Sequence, residues 1–468
     1  MNQDKVIKAS IWYLISSFFL KGIGLITTPI FSRMLTKAEY GIAENFNALL
    51  SIMIIVASLC LPATLIRARF DYKDSIFSYI KTCLLINIIT SIIIAFCFIL
   101  FKNQITEFFF LDTKYFVVLF FVVLANPAFE IFILLNQFDY KYKKVAVVNS
   151  IIAILGIGFS FLLLLFFKEN IFAKLFGTQI PLIILGIILY FFFFTKGGRI
   201  DFRYVKYIFP IAIPFVIHSL SGAILNSSDR IMITNLCGTE ENALYSIGCS
   251  VGQLSNVLWV AMNTAFVPWL GEILHLKKYD ELRKFSTFYI SFFVICVLGI
   301  LLIAPELLSF LGGSKYFEAK YVIPAIVISN VFLFLYSMYV NIEQYEKKTN
   351  GMALATTISA VINIVLNWFL IPIYGYVVAA YTTMIGYFVM LILHYLLVRR
   401  IKLHQCYNSV YILLVSCVCL LFSFVIPVVY DFFLIRIILI VIYVLCLMLF
   451  IIKNRGRIVA FIQKKSEN

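Results

Sequence analysis

The chain has 468 residues, of which 63% are hydrophobic and only 13% are charged, and its mean hydropathy is +1.00. Soluble globular proteins are about 45 to 50% apolar, so the composition excludes that class and indicates a polytopic membrane protein. The formal net charge is +15, but lysine and arginine fall in short clusters between apolar runs, which argues against a nucleic-acid partner. None of the ten cysteines forms a C-x-x-C pair, and we expect no metal and no cofactor.

Apolar segments long enough to cross a bilayer recur along the whole chain. They predict an all-α integral membrane protein with about fourteen transmembrane helices, at residues 9–31, 42–65, 79–101, 115–136, 145–167, 171–194, 207–228, 243–271, 286–304, 321–341, 352–373, 377–398, 408–429 and 432–452. The first segment is too long and too interrupted for a cleavable signal peptide, so we expect it to remain in the mature chain.

The joining loops are short, and basic residues are concentrated in every second loop. Lys141, Lys143 and Lys144 lie together on one predicted side, whereas the next loop carries Lys168 alone. Because cytoplasmic loops of membrane proteins carry the excess of lysine and arginine, this distribution predicts that both termini are cytoplasmic.

A repeat of about 200 residues indicates two similar halves. The segment NQFDYKYKK at 136–144 matches NIEQYEKK at 341–348, and both follow a predicted span on the cytoplasmic side. Aligning the first span with the seventh places Arg33 on Arg230 and Lys21 on His218. The repeat predicts two six-helix lobes around a central cavity, at residues 1–200 and 201–403, and residues 404–468 would add two C-terminal helices and a cytoplasmic tail.

Lys21 lies near the middle of the first predicted span. A lysine at this depth costs about 2.5–3.5 kcal/mol on insertion scales unless water or a partner meets it. Ser17, Gly24 and Thr28 share its helical face. Lys21 therefore lines a solvated pathway or pairs with a carboxylate such as Glu130, which is itself either an ion-coupling residue or the structural partner of a lysine.

The seventh predicted span also has a polar face, formed by His218, Ser221, Gly222, Asn226 and Asp229. A histidine in a cavity can exchange a proton near neutral pH, although hydrogen-bonded packing is an equally common role. We expect Lys21 and His218 to face each other across one cavity, with His218 and Asp229 as further ion-coupling candidates.

Other polar residues lie at the ends of spans or within them. Arg33 and Arg230 mark equivalent outer ends and either attract an anionic substrate or anchor helices at the interface. Arg67 and Arg69 follow the second span on the inside, where they can meet a phosphate group or serve as ordinary positive-inside anchors. Candidate hydrogen-bond partners for sugar hydroxyls, or for interhelical packing, are Asn256 and Asn263.

Motifs for catalysis are missing from the sequence. Asp71 and Asp74 form a D-x-x-D pattern, but a short, solvated charge cluster explains it better than metal-dependent group transfer. No glycine-rich phosphate loop of the G-x-x-x-x-G-K-[ST] type is present. We therefore expect a transporter, not an enzyme, driven by an ion gradient or by the gradient of its own substrate.

Several segments together resemble polysaccharide flippases of the Wzx type, within the multidrug, oligosaccharidyl-lipid and polysaccharide exporter (MOP) superfamily. They are TTPIFSRMLTKAEYG (27–41), SSDRIMI (227–233), ALYSIG (243–248), EQYEKKT (343–349), and Asn363, Asn367, Pro372 and Gly375. The resemblance covers nearly the whole chain. One departure is Val378, where relatives usually have glycine.

The resemblance implies two lobes around a cationic cavity that opens alternately to either side of the bacterial inner membrane. It implies a polyprenyl-pyrophosphate-linked oligosaccharide, the repeat unit of O-antigen or capsule, as the substrate moved to the outer leaflet. H⁺ or Na⁺ would be the coupling ion, and membrane lipids, a polysaccharide polymerase and a chain-length regulator would be further partners. The alternatives are a multidrug or cation antiporter of the same superfamily and a membrane glycan polymerase.

Overall fold

A computed structural model describes residues 27–139, 141–167, 169–346, 348 and 350–453. Within these ranges the regular elements are all helices. The α-helices are α1 (27–34), α2 (Lys37–Ser58), α3 (Leu61–Asp71), α4 (Ile76–Leu100), α5 (Lys102–Phe109), α6 (Thr113–Phe138), α7 (Tyr142–Phe166), α8 (Asn170–Thr195), α9 (Arg203–Leu236), α10 (Thr239–His275), α11 (Tyr279–Leu302), α12 (Ala304–Gly312), α13 (Ile323–Tyr345), α14 (Asn350–Tyr374), α15 (Val377–Arg400), α16 (Ser409–Val429) and α17 (Phe433–Lys453). Short 3-10 helices cover Lys73–Ser75, Ser314–Tyr321 and His404–Cys406.

Within the described ranges, twelve helical segments are long and apolar enough to cross a membrane, and the apolar helix Phe433–Met448 is shorter. These thirteen correspond to the second through fourteenth predicted spans. The fold class is therefore confirmed as an all-α multi-pass membrane protein. Most of the first predicted span, including Lys21, lies outside the described residues; α1 is its described end.

The second span is broken in the middle, between α2 and α3. Leu59 and Cys60 have φ of 45° and 50°, a left-handed conformation that residues other than glycine rarely adopt. Pro62 follows at the start of α3, where a missing N–H is tolerated. The carbonyl of Ala57 at the break accepts hydrogen bonds from Asn87 Nδ2 at 3.2 Å and Thr90 Oγ1 at 2.6 Å. The neighbouring helix α4 thus satisfies a backbone group that lipid could not satisfy.

The two halves repeat one pattern of helix neighbours. In the first half α6 and α7 each pack against α8, and α2 packs against α4 and α6. In the second half α13 and α14 each pack against α15, and α10 packs against α11 and α13. The short helices α5 and α12 each follow the third span of their half. This correspondence is what the sequence repeat predicts.

The halves meet where α2 packs against α9 and α10. We call the end at which α2 begins the outer end, because the sequence predicts that it faces away from the cytoplasm. Gly41 of α2 lies so close to α10 that an added Cβ would be 1.7 Å from the Thr239 carbonyl oxygen. Asn242 Nδ2 donates to the Gly41 carbonyl at 2.9 Å, and Ser32 Oγ donates to the Leu311 carbonyl at 2.6 Å. The outer end is therefore closed by direct contacts between the halves.

The last two helices pack on the outside of the second half, α16 against α13 and α17 against α11. Their outer-end connection carries Asp431, whose carboxylate accepts a hydrogen bond from Lys320 Nζ at 2.6 Å. Tyr430 OH donates to the Leu301 carbonyl at 2.8 Å, and Arg436 pairs with Glu306. Polar contacts at the outer end thus hold the pair against the second half.

Candidate functional site: a charged cavity between the halves

A cavity of about 390 Å³ lies beneath the outer contacts, between the two halves. Helices α1, α2 and α8 of the first half and α9 and α10 of the second half line it. The lining residues are Thr27, Thr28, Phe31, Tyr40, Glu44, Asn47, Lys174, Leu175, Thr178, Arg230, Cys249, Ser250 and Gln253. Its size falls within the roughly 300–1,000 Å³ of small-ligand sites.

Three charged side chains meet in this cavity. Glu44 lies 3.4 Å from Lys174 Nζ and 4.0 Å from Arg230 Nε, measured to its two carboxylate oxygens. The side chains of Lys174, Glu44 and Arg230 are only 11%, 18% and 17% exposed. Charges removed this far from water must be paired, and here one carboxylate faces two cations. The three groups together carry a net charge of +1.

The surroundings fix the position of each cation. Lys174 Nζ lies 4.2 Å from the centre of the Tyr40 ring, a cation–π contact. Arg230 Nε donates to Ser246 Oγ at 3.2 Å, and one of its terminal nitrogens donates to the Asn226 carbonyl at 3.1 Å. These contacts hold the guanidinium group with the rest of its donors toward the cavity. A guanidinium and an ammonium group held in one partly dry site form a binding site suited to phosphate.

Sequence reasoning singled out Arg230 but not its two partners. Lys174 and Glu44 lie near the ends of the sixth and second predicted spans. Glu44 lies inside the second predicted span, just as Glu130 lies inside the fourth. An intramembrane carboxylate is by itself a functional signal, and that signal was available for Glu44.

A second polar cluster surrounds Asp229, which is only 1% exposed. Its carboxylate accepts hydrogen bonds from Asn367 Nδ2 at 2.6 Å, and from Tyr245 OH and Thr383 Oγ1 at 2.5 Å each. Asn363 Nδ2 in turn donates to Thr383 Oγ1 at 3.2 Å. Helices α9, α10, α14 and α15 therefore meet at one buried carboxylate. The neighbouring Arg230 lines the cavity, so these two adjacent residues take part in different polar clusters.

The other sequence candidates are spread over the molecule. Arg33 is exposed and donates to the carbonyls of Pro29 and Phe310. Arg67 is 73% exposed beside Asp71, and Arg69 stacks on the ring of Phe138.

Inside the membrane-spanning helices, the polar candidates have hydrogen-bond partners. His218 Nδ1 lies 3.3 Å from Thr356 Oγ1. Asn126 Nδ2 donates to Glu130, and Asn341 Nδ2 donates to Asn263. Asn256 is half-buried on α10. Glu130 is thus paired with an amide. The expected encounter of Lys21 with His218 lies outside the described residues.

Comparison with known proteins gives the family. Residues 6–274, more than half of the chain, match the family described as "Polysaccharide biosynthesis protein". The chain belongs to this family. Residues 210–369 also match the MatE family. The family-level resemblance to polysaccharide flippases of the MOP superfamily is therefore confirmed.

Alignments with individual relatives extend over most of this chain. It is 23% identical to an Lsg locus protein of Haemophilus influenzae, over 76% of this chain and 89% of that protein. It is 22% identical to the "Probable low-salt glycan biosynthesis flippase Agl15" of Haloferax volcanii, over 83% of this chain and 82% of that protein. The solved structure of the lipid II flippase MurJ in an inward closed conformation superposes with a TM-score of 0.67 at 17% identity, over 96% of this chain and all of MurJ. The fold is therefore that of MurJ.

Proposed function

We propose that this protein moves a polyprenyl-pyrophosphate-linked oligosaccharide, the repeat unit of O-antigen or capsule, from the cytoplasmic to the outer leaflet by alternating access. The observation that carries the proposal is the cavity between the halves, where Lys174 and Arg230 outnumber the single carboxylate Glu44. Membership of the polysaccharide biosynthesis family supports a glycan as the cargo.

The charges suggest how an anionic headgroup is bound and released. In the structure the Glu44 carboxylate lies within ion-pair distance of both cations. A pyrophosphate entering the cavity displaces Glu44 and makes charge-assisted hydrogen bonds to Arg230 and Lys174. When the headgroup leaves, Glu44 pairs with the cations again, so the empty carrier returns without two unpaired buried charges.

The remaining lining fits the sugar portion. Asn47, Ser250 and Gln253 offer amide and hydroxyl groups that can bond to sugar hydroxyls. A cavity of about 390 Å³ accommodates the pyrophosphate and the first sugar but not a polyprenyl chain. The tail therefore stays in the bilayer between the halves, and the cavity must widen when the carrier opens.

Opening toward the outer leaflet requires the contacts around Gly41 to separate, and the coupling ion supplies the free energy. Asp229 is our first candidate for holding that ion, because it is a carboxylate buried inside the helix bundle, where an ionisable residue is a functional candidate. Glu130 and His218 remain candidates for the same role. In this scheme the protein lies in the bacterial inner membrane with both termini cytoplasmic and hands its cargo to the polymerase.

The test is complementation of a strain that lacks this chain, with Lys174→Ala, Arg230→Ala and Lys21→Ala. Lys102→Ala is the matched control, because Lys102 is a surface-exposed lysine at the outer end. We expect the cavity variants to accumulate lipid-linked oligosaccharide on the inner leaflet at normal protein levels, and the control to restore surface glycan.

If Lys174→Ala and Arg230→Ala each restore full surface glycan, the cavity has no role in transport. The same result with Lys21→Ala would exclude a role for Lys21. If the deletion strain instead translocates the lipid-linked unit normally but makes shorter polymer, the protein is the glycan polymerase.

A cation antiporter is the second candidate, because residues 210–369 match the MatE family and Asp229 is a buried carboxylate. An antiporter for cationic drugs is expected to have more carboxylates than bases in its cavity, which is the opposite of the charges around Arg230. Drug resistance that depends on this chain, with unchanged glycan, would favour the antiporter.

A further inference from the structure

A buried acid–base pair lies at the inner end of the second half. Glu343 lies two residues before the end of α13, and His394 lies on the facing side of α15. Glu343 Oε1 and His394 Nδ1 are 2.9 Å apart, and both side chains are 1% exposed. Neither residue belongs to the cavity or to the Asp229 cluster.

Both residues have a second polar atom for which the described part of the chain offers no partner. Glu343 Oε2 and His394 Nε2 are buried and make no hydrogen bond to any described residue. Among the described residues, no lysine, arginine or second carboxylate lies within ion-pair distance of either side chain. In a purely structural pair, these buried polar atoms would normally have hydrogen-bond partners. The dyad therefore has two polar atoms that can take water as a partner when the inner end is hydrated.

The groups that face the dyad are few. From α13 the ring of Tyr336 stacks on His394 with 5.5 Å between centroids. From α9 His218 lies within electrostatic range of His394, and Thr356 of α14 holds His218. From α10 the uncharged Asn263 accepts a hydrogen bond from Asn341, two residues before Glu343. Among the described residues, the charge of the dyad is therefore set mainly by its own protons.

The dyad continues a series of polar contacts between α9 and α15. At the outer level Thr383 of α15 donates to Asp229 of α9. At the middle level Tyr387 OH of α15 donates to Asn226 of α9 at 2.6 Å. At the inner level His394 of α15 contacts Glu343 of α13 at 2.9 Å, and His218 of α9 contacts Thr356 of α14 at 3.3 Å. The polar face of the seventh span, recognised in the sequence, is thus matched along α15 at the outer and middle levels, and His394 extends the polar residues of α15 to the inner end.

The number of protons bound to the Glu343–His394 pair sets its net charge, and the net charge determines whether the pair can remain buried away from water. With one shared proton the pair is neutral overall, either as a carboxylate with an imidazolium or as a carboxylic acid with an imidazole. Without that proton the dyad carries one negative charge, which burial strongly disfavours. The one-proton form therefore suits the closed, dry site, and water entering from the inner end permits the proton to leave.

We propose that Glu343 and His394 form a proton-binding site of this protein, which holds one proton when the inner end of the second half is dry and releases it when that end is hydrated. If the proposed function is correct, this dyad is the place where proton movement is linked to opening on the cytoplasmic side. The proton taken up is shared between Glu343 Oε1 and His394 Nδ1, and no other bond changes.

The first test needs no substrate. The chain contains four histidines, so ¹⁵N-histidine NMR of the full-length protein in nanodiscs can follow each ring, with His394→Gln identifying the His394 signal. We expect the His394 ring signal to change with pH as the dyad takes up or loses its shared proton, and this change to be altered in Glu343→Gln, because the carboxylate 2.9 Å from the ring is lost. The matched control is Glu346→Gln, since Glu346 is exposed at the end of the same helix and should leave the titration unchanged.

The proposal is overturned if Glu343→Gln and Glu346→Gln give the same His394 titration as the wild type. If Glu343→Gln does not fold, the wild-type protein still decides, because a His394 signal constant from pH 5 to pH 9 also overturns it.

The second test uses transport. In proteoliposomes with a pH gradient, Glu343→Gln should lose the acceleration by the gradient and keep downhill movement of the lipid-linked substrate. A gradient response equal to that of the wild type overturns the link to transport. If the wild-type protein moves no such substrate, the proposed function fails, and the NMR titration still decides the proton site.

Discussion

The close approach of α2 to α10 gives the sharpest mechanical prediction, for Gly41→Ala. The added Cβ would lie 1.7 Å from the Thr239 carbonyl oxygen and 3.3 Å from the Ala243 backbone nitrogen, whereas ordinary contact begins at 3.4 Å. Both obstacles are backbone, so no side chain can move aside, and the helices must separate by roughly 1.7 Å. Overpacking of this kind costs about 1–3 kcal/mol. The outer-closed population should therefore fall about 5- to 150-fold relative to the outer-open one.

The measurement is the distance between one spin label on each half, at Lys102 and Glu240, in a cysteine-free background. Both sites are exposed near the outer end. Gly271→Ala is the control, because a Cβ at this position of α10 meets nothing within 4 Å. Alanine in a helix interior is favoured over glycine by about 1 kcal/mol, so the control should be neutral or slightly stabilising. The two glycines thus predict opposite effects of one substitution.

We expect Gly41→Ala to shift the label distances toward the longer, outer-open component, and Gly271→Ala to match the wild type. If both variants give the wild-type distribution, the contact between Gly41 and Thr239 does not hold the outer end closed. A shift of equal size in both variants would attribute the effect to helix propensity and would equally refute the argument.

Three further predictions concern stability. Asp229→Ala leaves Asn367, Tyr245 and Thr383 without their shared acceptor, so it should lower the free energy of unfolding by about 3–5 kcal/mol. The measurement is thermal unfolding in detergent. The control Asp280→Ala, at an exposed position, should change the free energy of unfolding little. Lys81 Nζ donates to the Lys196 and Gly198 carbonyls at 2.5 and 2.9 Å. Lys81→Met should therefore speed tryptic cleavage at Arg199 about tenfold or more. Lys73→Met, at an exposed lysine, is the control, and equally slow cleavage in both variants would contradict the prediction. The ammonium of Lys320 lowers the pKa of Asp431, and hydrogen bonding to Asp431 raises the pKa of Lys320. The contact that holds α16 and α17 is therefore lost at low pH, as the pH falls below about 4 and through the lowered pKa of Asp431. It is also lost at high pH, as the pH rises beyond about 10.4 and through the raised pKa of Lys320. Asp431→Asn should abolish the loss of stability at low pH that this contact causes. If the variant loses stability at low pH as the wild type does, another group is responsible.

Much of the fold follows from composition and periodicity, because a bilayer forces almost every backbone group to be satisfied within a helix. The thirteen spans and the two similar halves could therefore be read from the chain alone. The break at Leu59 and Cys60 could not, since it depends on Asn87 and Thr90 of another helix. Pro62 was the one local hint of it.

For the site, the sequence by itself determined that polar residues inside apolar helices must meet protein or water, which is why His218, Asp229 and Arg230 could be singled out. It did not determine which of them meet. Arg230 and Asp229 are neighbours in sequence, yet one lines the cavity with Glu44 and Lys174 and the other lies in a separate cluster. Glu343 and His394 are 51 residues apart and meet only because α13 packs against α15. The partners of a buried charge come from other helices, so only the tertiary structure decides them.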